Sequence, residues 1–257
     1  MTVALAAVEY GEGKPVAILH GLFGAARNWA GIARRLAQHH RVIAFDLRNH
    51  GASPWADPMG YAEMAEDVRA AMLARGHRRY ALIGHSMGGK AAMAAALAAP
   101  GEVERLVVVD IAPVVYPAGP LTYAQAMRAL DLGAIARRGD ADKALAGAIP
   151  DPAERAFLLQ NLVLGDGPPR WQLNLAAIEA ALPALSGFTS PPAGTVYSGP
   201  ALFIAGEKSD YVRPEYEADI GRLFPNARVV RIAGAGHWVQ ADRPEALLAA
   251  IEPFLAG

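Results

Sequence analysis

At 257 residues the chain suits one large domain and is too short for two of ordinary size with independent cores. Hydrophobic residues are 53% and charged residues 19%, which excludes intrinsic disorder, while 24 Lys and Arg against 25 Asp and Glu leave no electrostatic footprint for nucleic acid or an anionic membrane and point to a small-molecule partner. The absence of cysteine excludes disulfides, thiolate metal sites and a cysteine nucleophile, and leaves the compartment open.

The apolar N-terminus has no basic start, and Glu9 arrives before a signal-peptide core is complete; no export signal and a cytoplasmic location are expected. Runs of branched apolar residues then predict buried strands at 15–19, 41–45, 80–83 and 105–109, alternating with helical periodicity at 27–38, 61–75 and 87–99. The longest apolar stretch, near 93–100, is far short of the roughly 20 residues of a membrane span. Between 114 and 197 the alternation stops: helical patterns and prolines appear with no convincing strand, over a length too great for a loop. It resumes with strands at 201–205 and 227–232 and helices at 214–224 and 244–255, where Pro214 and Pro244 sit at helix starts and Asp242 is placed to cap the last helix. The pattern predicts an α/β fold, a mostly parallel sheet with helices on both faces. The core would be 1–113 and 198–257, and 114–197 a helical cap over the carboxyl edge of the sheet, where such sheets bind ligands.

Ser86, in Gly84-His85-Ser86-Met87-Gly88, falls on the turn from the 80–83 strand into the 87–99 helix. Such a turn strains the serine backbone, presents its hydroxyl and needs glycines two positions away on either side. The pattern is weak alone and strong between a strand and a helix. A serine nucleophile needs a base, and of seven histidines only His237, in the glycine-rich Gly234-Ala235-Gly236-His237-Trp238 after the last strand, lies late in the chain and at the same sheet edge. His39, His40 and His77 follow helical patterns and are expected to be solvated; His20 and His50 adjoin glycine turns and are expected to shape the pocket rather than titrate; His85 is expected to point away from Ser86. Two carboxylates compete to orient His237. Asp210 follows the penultimate strand, and Asp110 ends the strand after the nucleophile helix. The amides of Met87 and of Leu22, in His20-Gly21-Leu22-Phe23-Gly24, are the candidate oxyanion hole. Arg48 and Asn49 are expected to hold loops together, with substrate-anion binding by Arg48 as the alternative. Trp238, Phe23, Met127 and Trp171 could line an acyl pocket or belong to the core.

Five segments carry a family resemblance: His20 to Gly24, Asp46-Leu47-Arg48-Asn49-His50-Gly51-Ala52-Ser53, Gly84-His85-Ser86-Met87-Gly88-Gly89-Lys90, Asp110-Ile111-Ala112-Pro113-Val114, and Gly234 to Val239. On these the chain resembles the α/β-hydrolase superfamily over nearly its full length, and within it the YbfF-like esterases. The resemblance implies a helical cap, no cofactor or metal, and hydrolysis of short- to medium-chain carboxylic esters, with acyl-CoA thioesters as a further substrate class. It also bears on the acid. In the superfamily's common pattern the aspartate falls three residues after the glycine of the penultimate strand, a position held here by Ser209, one before Asp210. The YbfF-like branch uses the segment matched by Asp110, which favours Asp110 over Asp210. Perhydrolase, lactonase or carbon–carbon bond hydrolase activity would use the same serine site, and a ligand receptor on the same fold is the non-enzymatic alternative.

Overall fold

The computed structural model describes residues 1–116, 121–189 and 191–257. Its sheet begins with β1 (Ala7–Tyr10), β2 (Lys14–Leu19), β3 (His40–Phe45), β4 (Tyr80–His85) and β5 (Val103–Val109). After a two-stranded ribbon, β6 (Leu162–Val163) and β7 (Arg170–Trp171), the chain returns to the sheet as β8 (Ala201–Gly206) and β9 (Ala227–Ile232). The order across the sheet is β1-β3-β2-β4-β5-β8-β9, with β1 antiparallel to β3 and every other pair parallel.

Strand side chains alternate between two apolar layers, because successive residues of a strand point to opposite faces. Leu19, Leu82, Leu106 and Val108 join one layer with residues of α2 (Tyr61–Ala74) and α3 (Met87–Ala98) after α1 (Ala30–Leu36). Ile18, Ile83, Val107 and Val109 join the other, with α1 and the C-terminal helix. A sheet buried on both faces explains why β4 and β8 read as unbroken apolar runs.

Between β5 and β8 lie α4 (Leu121–Ala129), α5 (Arg138–Leu145), α6 (Pro152–Leu159) and α7 (Leu175–Ser186); residues 117–120 and 190 of this stretch are outside the described ones. Met127 and Trp171 are interior to it, the indole N–H donating to the Met127 carbonyl at 3.1 Å. The insertion is tied to loops at the carboxyl end of the sheet. Asn161 Nδ2 donates to Phe23 O (2.7 Å), the Asn174 amide to Asn49 O (3.0 Å) and the Tyr61 hydroxyl to Leu185 O (2.5 Å).

Several elements differ from the sequence expectation. β1 was not anticipated: a half-buried antiparallel edge strand lacks the continuous apolar run of its neighbours. The helices expected at 27–38 and 214–224 each begin with a 3-10 turn, Ala26–Trp29 before α1 and Pro214–Tyr216 before α8 (Glu217–Leu223). Asp242 does not cap the last helix. It ends a one-turn helix, α9 (Val239–Asp242), which directs its carboxylate back to accept the Gly236 N–H at 2.7 Å, while Arg243 precedes α10 (Pro244–Ala256). Nor do all three helix-following histidines lie in solvent: His39 is exposed, but His77 is half-buried, and His40 opens β3 half-buried. Burial lowers the pKa of both half-buried rings.

Candidate active site

Ser86 stands between β4 and α3 with φ 52° and ψ −119°, a conformation rare for a residue with a side chain. Its amide donates to Val109 O at 3.0 Å, and its carbonyl accepts from Lys90 N at 3.0 Å. The flanking glycines are steric necessities. A Cβ on Gly84 would lie 2.2 Å from Gly88 O, and one on Gly88 2.4 Å from His20 O.

Beyond β9, the loop pinned by Asp242 carries His237 over the serine. The Ser86 hydroxyl and His237 Nε2 are 3.0 Å apart, and His237 Nδ1–H donates to Asp110 Oδ2 at 2.7 Å. Asp110 leaves β5 with φ 53° and is fully buried. Its Oδ1 accepts from the Gly206 amide at 2.8 Å, and its Oδ2 also accepts from the Ser209 hydroxyl. Asp210 is not brought to the histidine. Its side chain is 86% exposed and faces Arg213 at 3.5 Å. Tyr211 stacks on the His237 ring at 4.1 Å, and the His85 ring lies 4.8 Å from it. His85 turns away from the serine hydroxyl, donating Nε2–H to the His237 carbonyl at 2.8 Å.

The loop after β2 abuts this group: a Cβ on Gly21 would lie 3.2 Å from Ser86 Cβ. Phe23 is in the left-handed region at φ 59°, and its amide donates to His50 Nε2 at 3.2 Å. His50 in turn donates Nδ1–H to Arg48 O at 2.9 Å. His20 donates Nδ1–H to Gly21 O at 2.8 Å and accepts the Leu47 amide at 3.0 Å. Each ring thus uses one donor and one acceptor, as a neutral imidazole must. Burial lowers the pKa of His20 to about 4 and of His50 to about 3. The Leu22 amide has no partner among the described residues, and Met87 opens α3, where an amide has no acceptor within the helix.

Arg48 lies inside the core. It forks onto Asp67, Nε to Oδ2 at 2.6 Å and Nη2 to Oδ1 at 2.8 Å, with both side chains fully buried. Asn49 closes its own loop on Ala56, its Nδ2 donating to the carbonyl at 2.8 Å and its Oδ1 accepting the amide at 2.9 Å, and Oδ1 also accepts Asn174 Nδ2 at 3.1 Å, which joins that loop to the insertion.

A cavity of about 240 Å³ opens over Ser86, walled mainly by apolar side chains, with Phe23 and Trp238 among them. Met127 and Trp171 are not in the wall. Lys90, Tyr116, Tyr123 and Glu154 also line it, and the sequence assigned a role to none of them. Lys90 is nearly fully buried, its Nζ donating to Val114 O (2.8 Å), Ser186 O (3.1 Å) and Gly187 O (2.6 Å) with the Tyr116 ring 4.7 Å away. Burial lowers its pKa to about 7. Its signal in the sequence was a lone charge in an otherwise uncharged helix, one turn after Ser86. Among the described residues no three His, Asp or Glu side chains converge as metal ligands.

The family model of the α/β hydrolase fold matches residues 14–244. The mouse sn-1-specific diacylglycerol lipase ABHD11 is 39% identical over 249 residues, 94% of this chain and 80% of that protein. The Escherichia coli K12 esterase YbfF is 37% identical over 242 residues, 94% of this chain and 92% of its own. The solved structure of a marine microorganism esterase superposes with a TM-score of 0.94 at 35% identity, covering 98% of this chain and all (100%) of the other. The chain belongs to the α/β-hydrolase fold family. It is a serine ester hydrolase of the YbfF-like branch.

Proposed function

We propose that the protein is an esterase for short- to medium-chain carboxylic esters that works through an acyl-enzyme, with Ser86 as nucleophile, His237 as base and Asp110 as the acid that orients it. The observation that carries this reading is the unbroken series of hydrogen bonds from Ser86 through His237 to Asp110. His237 takes the serine proton at Nε2 while Asp110 holds Nδ1–H and stabilises the charged ring. Ser86 Oγ attacks the ester carbonyl, and the Leu22 and Met87 amides take the developing oxyanion. His237 then returns the proton to the leaving alcohol, and water repeats the sequence to release the acid. The segment 114–197 acts as a cap whose packing over Ser86 bounds the acyl chain, and the size of the cavity favours modest chains.

This chemistry calls for no cofactor. The near-neutral charge balance supports a small-molecule partner rather than nucleic acid, and among the described residues no helix is long and apolar enough to cross a membrane. The reading keeps a cytoplasmic location. Its test is Ser86→Ala on p-nitrophenyl butyrate: turnover is expected to fall by several orders of magnitude with circular dichroism unchanged, and a variant as active as the parent would overturn it.

A further inference from the structure

Asn161, between α6 and β6, is fully buried, and a buried side-chain amide is tolerated only where its hydrogen-bonding groups are met. Its Nδ2 donates to Phe23 O at 2.7 Å and to Leu158 O at 3.1 Å, and its Oδ1 accepts from Arg27 Nη2 at 3.1 Å. With both donors spent and the acceptor engaged, the amide cannot turn without breaking a bond.

The bond to Phe23 reaches the loop after β2 through two peptide groups. Phe23 C=O and Gly24 N–H belong to one planar trans peptide group, which points them in opposite directions. The Gly24 N–H donates in turn to Gly21 O at 2.9 Å, and the Gly21 C=O shares its peptide group with the Leu22 N–H. That N–H has no partner among the described residues, and Leu22 lines the cavity together with Ser86. The series thus runs from Asn161 Nδ2–H to Phe23 O and from Gly24 N–H to Gly21 O, and ends on the amide proposed above as an oxyanion donor. Hydrogen bonds in such a series polarise one another. Phe23 itself needs holding: its φ of 59° is costly for a residue with a bulky side chain, and His50 Nε2 fixes its amide at 3.2 Å while Asn161 fixes its carbonyl.

We propose that Asn161 is a positioning residue for the oxyanion hole: it fixes the Phe23–Gly24 peptide group and, through it, the direction of the Leu22 N–H. The inference rests on the esterase reading and on Leu22 as an oxyanion donor. Such a bond acts where charge develops on the substrate oxygen, so it raises kcat and leaves binding of the uncharged ester unchanged. A residue that only docked the insertion would act on KM or on stability instead.

The test uses p-nitrophenyl butyrate and butyl trifluoromethyl ketone. Ser86 Oγ adds to the ketone carbon, the serine proton passes to His237, and the carbonyl oxygen becomes the oxyanion of a stable hemiketal. Kinetics, ketone affinity and circular dichroism are measured for the parent, Asn161→Ala, Asn161→Asp and Gln160→Ala. Asn161→Asp keeps the shape and the acceptor for Arg27 and loses the donor to Phe23. Gln160→Ala removes a neighbouring bond between the insertion and the same loop, the one from Asn28 Nδ2 at 2.7 Å. Both Asn161 variants are expected to lose about 10- to 100-fold in kcat and the same factor in ketone affinity, with KM within about twofold. Gln160→Ala should keep all three at parent values. The proposal is overturned by Asn161 variants that keep the parent kcat, that lose kcat but not ketone affinity, or that both fail to fold, since Asn161 would then serve the fold alone. A Gln160→Ala variant that loses as much kcat as Asn161→Ala overturns it too, because docking of the insertion would explain both. Failure of the esterase reading looks different: the parent neither hydrolyses the ester nor forms the hemiketal.

Discussion

Asp110 shows how a carboxylate can be committed to one histidine. Its positive φ turns it off the end of β5, and three donors, Gly206 N–H, Ser209 Oγ–H and His237 Nδ1–H, hold it in place without access to water. Replacing Asp110 by Asn removes the acceptor that fixes the His237 tautomer, and kcat on p-nitrophenyl butyrate is expected to drop about 10⁴-fold. Asp210→Asn, which alters only an exposed side chain, should stay within about twofold. Steady-state kinetics on the two variants decide the assignment, and the reverse pattern would reject Asp110. Ser86 and His237, the proposed nucleophile and base, could be picked out in the sequence because each stands at a glycine-rich exit from a strand. The choice between Asp110 and Asp210 was not legible from local pattern, since both follow apolar strands. The proposal of Asp110 rests on spatial neighbours, since β8 lies directly beside β5 and brings Gly206 and Ser209 to Asp110.

Lys90 connects α3 to both ends of the insertion, with Val114 at the exit from β5 and Ser186 and Gly187 at the end of α7. Three ammonium hydrogens meet three carbonyls. Lys90→Met would strand those carbonyls, and about 1–3 kcal/mol of stability for the first left unpaired is the expected scale of loss. The lysine also carries a pH signature. Its folded pKa, about 7, is below the unfolded value, so the unfolded chain binds more protons between about 7 and 10.5 and stability contributed by this group rises with pH across that window. Urea unfolding at pH 7 to 10 should show this slope in the parent and a shallower one in Lys90→Met; parallel slopes would mean that Lys90 does not titrate there. The strands of the sheet were legible because burial on both faces makes them continuous apolar runs. The insertion was legible only as a helical stretch. Its helices pack on one another and on loops such as 49–53 and 20–24, and no periodicity in one segment encodes which loop it meets.

At the scale of the molecule, the sheet is joined at its carboxyl end to the insertion by hydrogen bonds, with three buried neutral histidines beside Ser86 and its loops. Burial holds His20 and His50 at about 4 and 3, and His85 well below its ordinary value. Below pH 6.5 the unfolded chain protonates these rings and the folded one does not, so stability falls with pH through that range, on the order of 1 kcal/mol per pH unit for each ring. Thermal unfolding from pH 7 to 4 is expected to show a steep loss, and a flat profile would contradict their burial as neutral groups. The most direct measurement of the proposed chemistry is rapid mixing with p-nitrophenyl butyrate followed by acid quench, intact-mass analysis and peptide mapping. A butyryl adduct on Ser86, forming with a burst of p-nitrophenol no larger than the enzyme concentration and absent from Ser86→Ala, is the expected result. An adduct on another residue, or full turnover by Ser86→Ala, would contradict it.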